Sequence, residues 1–289
     1  MLTTDAYAFL NINDPVCAWA TYRGTLVSPP AEPGFVSVWA AGLMRSDNHL
    51  ARVGNEWLLE QHRAAAFPSR VSRLRGMFCF LDLESAERAC SWATNRGSHF
   101  RPEYLAELNL SQATLRSDRL DANWISYAKR DDAGRLLGTE WIHSYWAGEP
   151  YPHASPIWET LIDGRMIVLG TALRERAYLV VKRMFPQSLG LLEIARLAAW
   201  VGSDLGNSAA HIVQQGNELA LHYFMDMRDA NNPNFLAKLE QVRREGHPTN
   251  WADLGPHLSA GSFGQTPDLR PFEFKRPLND VPYIAKARA

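Results

Sequence analysis

The chain has 289 residues, 46% of them apolar and 21% charged, with a formal net charge of -1 at pH 7. That composition suits a buried core and argues against a disordered chain, and the charge balance gives no general attraction to nucleic acid or to membrane surfaces. Cys17, Cys79 and Cys90 form an odd set without a CxxC pair, which argues against a disulfide framework or a structural zinc site and for a reducing, cytoplasmic setting.

No secretory leader is read at the N-terminus, and no segment approaches the roughly 20 apolar residues of a membrane helix. Residues 16–27 (VCAWATYRGTLV) are β-branched and aromatic and predict a strand; the Pro- and Gly-rich stretch 28–34 is a loop. Residues 49–66 carry Leu50, Val53, Trp57 and Leu58 near helical spacing, and Pro68 closes that helix. Residues 76–81 predict a buried strand. Asp82 then caps a helix over 84–94 that ends near Gly97. A half-buried strand over 104–110, a short helix over 120–129 and a turn over 131–134 follow. Residues 140–156 are expected to form a loop rich in Trp, Tyr, His and Pro.

Residues 157–169 read as two apolar strands joined by the Asp163-Gly164 turn, a hairpin that would hold Glu159 on rigid backbone. Beyond Leu169 four helices are expected, over 171–185, 188–201, 208–227 and 234–245, and then a Pro- and Gly-rich arm. The expected class is α+β, with boundaries at 1–170, a helical region at 171–246 and an extended arm at 247–289.

Three segments carry the chemistry: Tyr22-Arg23-Gly24-Thr25, then Gly76-Met77-Phe78-Cys79-Phe80-Leu81-Asp82 with Ala86, Ala89 and Trp92 behind it, then Trp158-Glu159-Thr160-Leu161. In this order the series resembles the ADP-ribosyltransferase-like superfamily, over roughly residues 16–170. The resemblance implies a split β-sheet core and a mono-ADP-ribosyltransferase with NAD as co-substrate and no metal. It implies Glu159 as the catalytic carboxylate, Arg23, Gly24 and Thr25 on NAD, and Phe78, Phe80 and Trp92 along the cofactor wall. A guanidinium offers fixed donors to phosphate and ribose oxygens, and a carboxylate stabilises the oxocarbenium-like centre as nicotinamide departs.

The chain departs from the family pattern at three points. Phe78-Cys79-Phe80 stands where members with an early arginine carry a Ser-Thr-Ser-like strand. Ile157 stands where arginine-modifying members carry a second glutamate, which disfavours arginine as acceptor. Arg23 in place of histidine disfavours the poly-ADP-ribose-forming branch. The aromatic residues before Glu159, with Trp141, Tyr145 and Trp146 foremost, suit stacking on a nucleobase. The basic run with Arg70 and Arg73 is in most chains a solvated face, and here it also suits a phosphate backbone. The reading leans to a nucleic-acid acceptor over a protein one. By family analogy it extends to a toxin or anti-phage effector, with an antitoxin-like partner on the helical half. A catalytically silent nucleotide- or partner-binding scaffold and an NAD glycohydrolase are the alternatives.

Overall fold

A computed structural model describes residues 5–45, 50–94, 99–110, 116–132, 134–246 and 264–277. The expected helix start at His49, the helix end near Gly97, residue 133 of the 131–134 turn and most of the 247–289 arm lie outside them.

The first departure from expectation concerns residues 16–27. The chain opens with β1 (Ala6–Phe9) and then forms a helix, α1 (Pro15–Arg23), before the short strand β2 (Thr25–Val27). The cause is local. Asp14 accepts hydrogen bonds from the backbone N–H groups of Val16 and Cys17, Pro15 fills the first turn, and Gly24 closes the helix in the left-handed region at φ +89°. These end signals outweigh the strand propensity of the residues between them.

β3 (Phe35–Val36) leads to α2 (Val38–Arg45) and the long α3 (Leu50–Ala66). β4 (Met77–Cys79) and α4 (Leu83–Ala89), capped by Asp82, stand where the sequence places them, as does β5 (Leu105–Leu110). Where a helix over 120–129 is expected, β6 (Arg116–Asp121) precedes a single turn, α5 (Asn123–Ser126). The expected loop over 140–156 begins as a helix, α6 (Glu140–Ala147), ended by Gly148 at φ +79°.

β7 (Trp158–Asp163) and β8 (Arg165–Val168) do not form the expected hairpin. Gly164 links them at φ +152°, and they belong to different sheets. β7 is the central strand of β4-β7-β6, and β8 lies in β1-β5-β8-β2. An isolated bridge from Tyr7 to Phe80 joins the two sheets. The chain of pairings β7, β4, β1, β5, β8 therefore starts and ends on one bent strand.

After α7 (Thr171–Met184) and α8 (Leu189–Trp200), the expected helix over 208–227 is an antiparallel pair, β9 (Ser208–Gln215) and β10 (Glu218–Met225). Gln215 faces Glu218 across a two-residue Gly216-Asn217 turn. α9 (Pro233–Arg244) follows, and β11 (Phe274–Pro277) adds to β10. The region 171–246 is thus mixed rather than helical. Its sheet also takes in β3 from the N-terminal part.

All sheet pairings among the described residues are antiparallel, so the class is α+β. One large core runs from Ala6 to Leu269 and spans both sides of Gly170. A smaller core of Leu59, Val71, Leu120, Ile142, Tyr145, Trp146 and Leu161 lies between the β4-β7-β6 sheet and helices α3 and α6. Among the described residues no helix is long and apolar enough to cross a membrane.

Candidate active site around Glu159

Residues two apart on a strand share a face, so Glu159 points with Leu161 into the smaller core. Leu120 lies opposite Glu159 and Phe78 opposite Leu161 in the antiparallel register. Glu159 is only 7% exposed. A carboxylate buried this far needs partners, and it has two. Arg73 Nη1 donates to Oε1 at 2.6 Å, and the Tyr145 hydroxyl donates to the same oxygen at 2.8 Å. Oε2 has no protein donor among the described residues.

Arg73 is itself held from three sides. Its Nε and Nη2 bind the two oxygens of Glu56 at 2.8 and 3.1 Å, and Nη1 lies 2.6 Å from the Tyr145 hydroxyl. The guanidinium carbon sits 4.7 Å from the centre of the Phe78 ring, a cation–π arrangement. Trp39 packs against Phe78 with ring centres 4.1 Å apart. Trp39 Nε1 donates to His99 Nε2 at 3.4 Å, so the histidine accepts there.

Burial raises the Glu159 carboxyl above its ordinary range, and Glu56 adds to the rise. Arg73 and the Tyr145 hydrogen bond oppose it. Burial works against the charge on Arg73, yet Glu159 and Glu56 hold its pKa well above the usual value. Burial, then the nearby Arg52, pulls His99 down to about 4, so its ring is neutral at pH 7. One carboxylate oxygen is thus pinned in a charged network, and the Phe78 and Trp39 rings pack behind the Arg73 that pins it.

Of the residues expected on NAD, only Phe78 lies at Glu159. Arg23 is 1% exposed and donates to the backbone oxygens of Leu205, Thr25 and Ser203 at 3.3, 3.1 and 2.8 Å. Its charge closes the joint between α1 and the loop after α8. Gly24 packs against the Arg174 guanidinium, and its carbonyl accepts from Val168 N. Glu159 and Val168 are separated by most of the β7–β8 strand, on the order of 30 Å of extended chain at about 3.3 Å per residue. Thr25 begins β2 at that same far end, buried, with its carbonyl on Arg23. Phe80 and Trp92 belong to the large core with Phe9 and Phe100.

The expected acceptor rings are interior as well. Trp146 is fully buried and donates from Nε1 to Leu59 O at 3.0 Å. Trp141 packs against the smaller core, and Tyr145 holds Glu159. Arg70, half-buried, pairs with Asp118 at 2.7 Å. Arg73, read from its basic run as a phosphate contact, is the counterion of Glu159. Glu56, Trp39 and His99 were not anticipated. A signal for Glu56 was present. It falls between Val53 and Leu59 at three-residue steps on the buried face of α3, where an acid requires a partner.

Neither protein-family models nor curated proteins give a match to this chain. The site stands on its geometry alone. Among the described residues no group of three or more His, Cys, Asp or Glu side chains is placed to hold a metal ion.

Proposed function

We propose that the chain is a mono-ADP-ribosyltransferase that breaks the nicotinamide–ribose bond of NAD and transfers ADP-ribose to a macromolecular acceptor, with Glu159 as the catalytic carboxylate. The observation that carries this reading is the half-committed carboxylate. Oε1 is fixed by Arg73 and Tyr145, Oε2 has no protein donor among the described residues, and Phe78 packs on Arg73 with Trp39 behind it. As the C1′–N bond breaks, its electron pair leaves with neutral nicotinamide and positive charge builds at C1′. A fixed negative oxygen stabilises that charge without reorganising. The acceptor then bonds to C1′ and gives up a proton.

In this proposal Arg73 positions Glu159 and makes no contact with NAD, its nitrogens being committed to Glu56, Tyr145 and Glu159, and the aromatic wall passes to Phe78 and Trp39. Arg52 supports the fit to a dianionic diphosphate. It is exposed, near Glu56 and Arg73, and without a carboxylate salt bridge among the described residues. The role as a toxin or anti-phage effector, with an antitoxin-like partner, stays attached to the family analogy.

A second reading, a silent scaffold, is favoured by one observation: Arg73 is already satisfied by two carboxylates, as in a purely structural network. Incubation with labelled NAD and cell lysate separates the readings. The proposal expects nicotinamide release and labelled macromolecule from the parent, and neither from a folded Glu159→Gln. Free ADP-ribose without labelled macromolecule makes the protein an NAD glycohydrolase. No NAD consumption, or equal release by Glu159→Gln, overturns the proposal.

A further inference from the structure

A surface ring pair does exist on this molecule, at Tyr151 of the aromatic stretch before Glu159 and at Tyr127 upstream, rather than at Trp141, Tyr145 and Trp146. Tyr127 is 59% exposed. It lies nearly parallel to Tyr151, with ring centres 5.1 Å apart and planes 11° from one another. Trp124 closes on the edge of Tyr151 at 5.1 Å, held by its Nε1 hydrogen bond to Glu149 O at 2.7 Å. Two tyrosines in parallel at the surface leave the outer ring with an open face, onto which a further flat ring can add.

This ladder is tied to the candidate active site through one buried side chain. Asp121, at the end of β6, accepts from Tyr151 N at 2.8 Å through Oδ2 and from Ile157 N at 3.0 Å through Oδ1. Tyr151 and the chain leading into Glu159 therefore share a fixed support. Asp121 is fully buried and accepts a third backbone bond, from Asn123 N at 3.0 Å.

The surrounding cations lack acidic partners. Arg88, Arg119, Lys129 and Arg130 make no salt bridge among the described residues. Arg119 lies over the Trp158 ring at 4.3 Å. Arg130 is held by the carbonyls of Ile125 and Ala128, and Arg88 by those of Ser155 and Pro156. Of the nearby acids, Asp131 is engaged by Arg135 at 2.6 Å, while Asp132 and Glu149 are exposed and make no salt bridge among the described residues. An open aromatic face flanked by cations that carry no acidic partner suits unpaired bases and their phosphates. Such a surface binds despite the chain's neutral overall charge, because the contact is local.

We infer that the Tyr127–Tyr151 ladder is a docking platform for single-stranded nucleic acid, which presents a base to Glu159 as the ADP-ribose acceptor. The acceptor part rests on the proposed transferase activity; the binding part does not. The test is fluorescence anisotropy of labelled single-stranded RNA, single-stranded DNA and duplex of the same mixed sequence, without NAD, using the full chain and its Glu159→Gln variant. Both proteins should bind the single strands in preference to the duplex. Tyr127→Ala should weaken binding at least about fivefold, the loss of one stacked base, and Tyr127→Phe should restore it. Lys129→Gln should lower the salt dependence by about one counterion. Absence of binding, equal affinity for duplex, or indifference to Tyr127→Ala overturns the inference. Those results together with intact nicotinamide release leave the transferase reading standing. Normal binding without NAD consumption defeats the transferase reading and leaves the platform.

Discussion

Arg73 and Glu159 meet in a 2.6 Å hydrogen bond across 86 positions of sequence, inside a layer walled by α3, α6 and the β4-β7-β6 sheet. The same guanidinium binds both oxygens of Glu56. Removing the cation strands two buried carboxylates near each other. Arg73→Met should therefore cost about 3–5 kcal/mol in urea denaturation. Glu56→Gln should cost less, since Arg73 keeps Glu159. A double-mutant cycle between Arg73 and Glu56 should give a coupling of at least about 1 kcal/mol. Additive losses would mean that the two side chains do not act as a unit.

The proposed chemistry needs Glu159 ionised, which fixes the sign of its pH dependence. Burial raises this carboxyl, so nicotinamide release should fall off on the acid side at a higher pH than the ordinary glutamate value of about 4.3. Tyr145→Phe removes a donor that favours the charged form. The acid limb should then move to still higher pH, and the plateau rate should drop about tenfold or more. Stability runs the other way. A raised carboxyl contributes stability at low pH that is lost as pH rises through its folded pKa. A pH–rate profile of the parent and Tyr145→Phe decides the point; an acid limb at or below the ordinary value in both would remove the carboxylate from the rate-limiting chemistry.

Arg23 should matter for folding and not for turnover. Its side chain satisfies three carbonyls within a closed joint. Arg23→Met leaves those acceptors buried without donors, a loss of about 3 kcal/mol or more. Below its unfolding temperature the variant should still release nicotinamide at the parent rate. A selective loss of activity with unchanged stability would restore the role that the family resemblance implies for Arg23.

Periodicity and caps in the sequence sufficed for α3, α4, α7, α8 and α9 and for the strands around Phe78, Leu108 and Glu159. It failed where end signals competed with propensity. α1 was hidden in β-branched and aromatic residues, although Asp14-Pro15 and Gly24 bracket it. The β9–β10 pair was hidden in an apolar run, although Gly216-Asn217 marks its turn. Asp163-Gly164 showed the converse error. A turn dipeptide between two apolar strands became a corner between sheets, since β5 and β2 claim β8 while β4 and β6 claim β7. Which side of a sheet each element covers is a tertiary fact. The residues that hold Glu159 therefore came from α3, α6 and the segment before β4, none of them adjacent in sequence.

Gly206 tests how firmly the two ends of the chain are locked together. Its carbonyl accepts from Trp19 Nε1 at 2.8 Å and its N–H donates to Asp226 O at 2.7 Å, so it bridges α1 to the end of β10. The residue adopts φ +74°, and an added Cβ would stand 2.3 Å from the Ala195 methyl on α8. Gly206→Ala thus combines a left-handed backbone, about 1–2 kcal/mol, with overpacking, about 1–3 kcal/mol. A loss above about 2 kcal/mol is expected by urea denaturation. Ala195→Gly alone should cost about 1 kcal/mol as a helix-interior glycine. Combined with Gly206→Ala it removes the clash, and the double variant should be more stable than the sum of the singles by at least about 1 kcal/mol. Strict additivity would place the strain in the backbone alone.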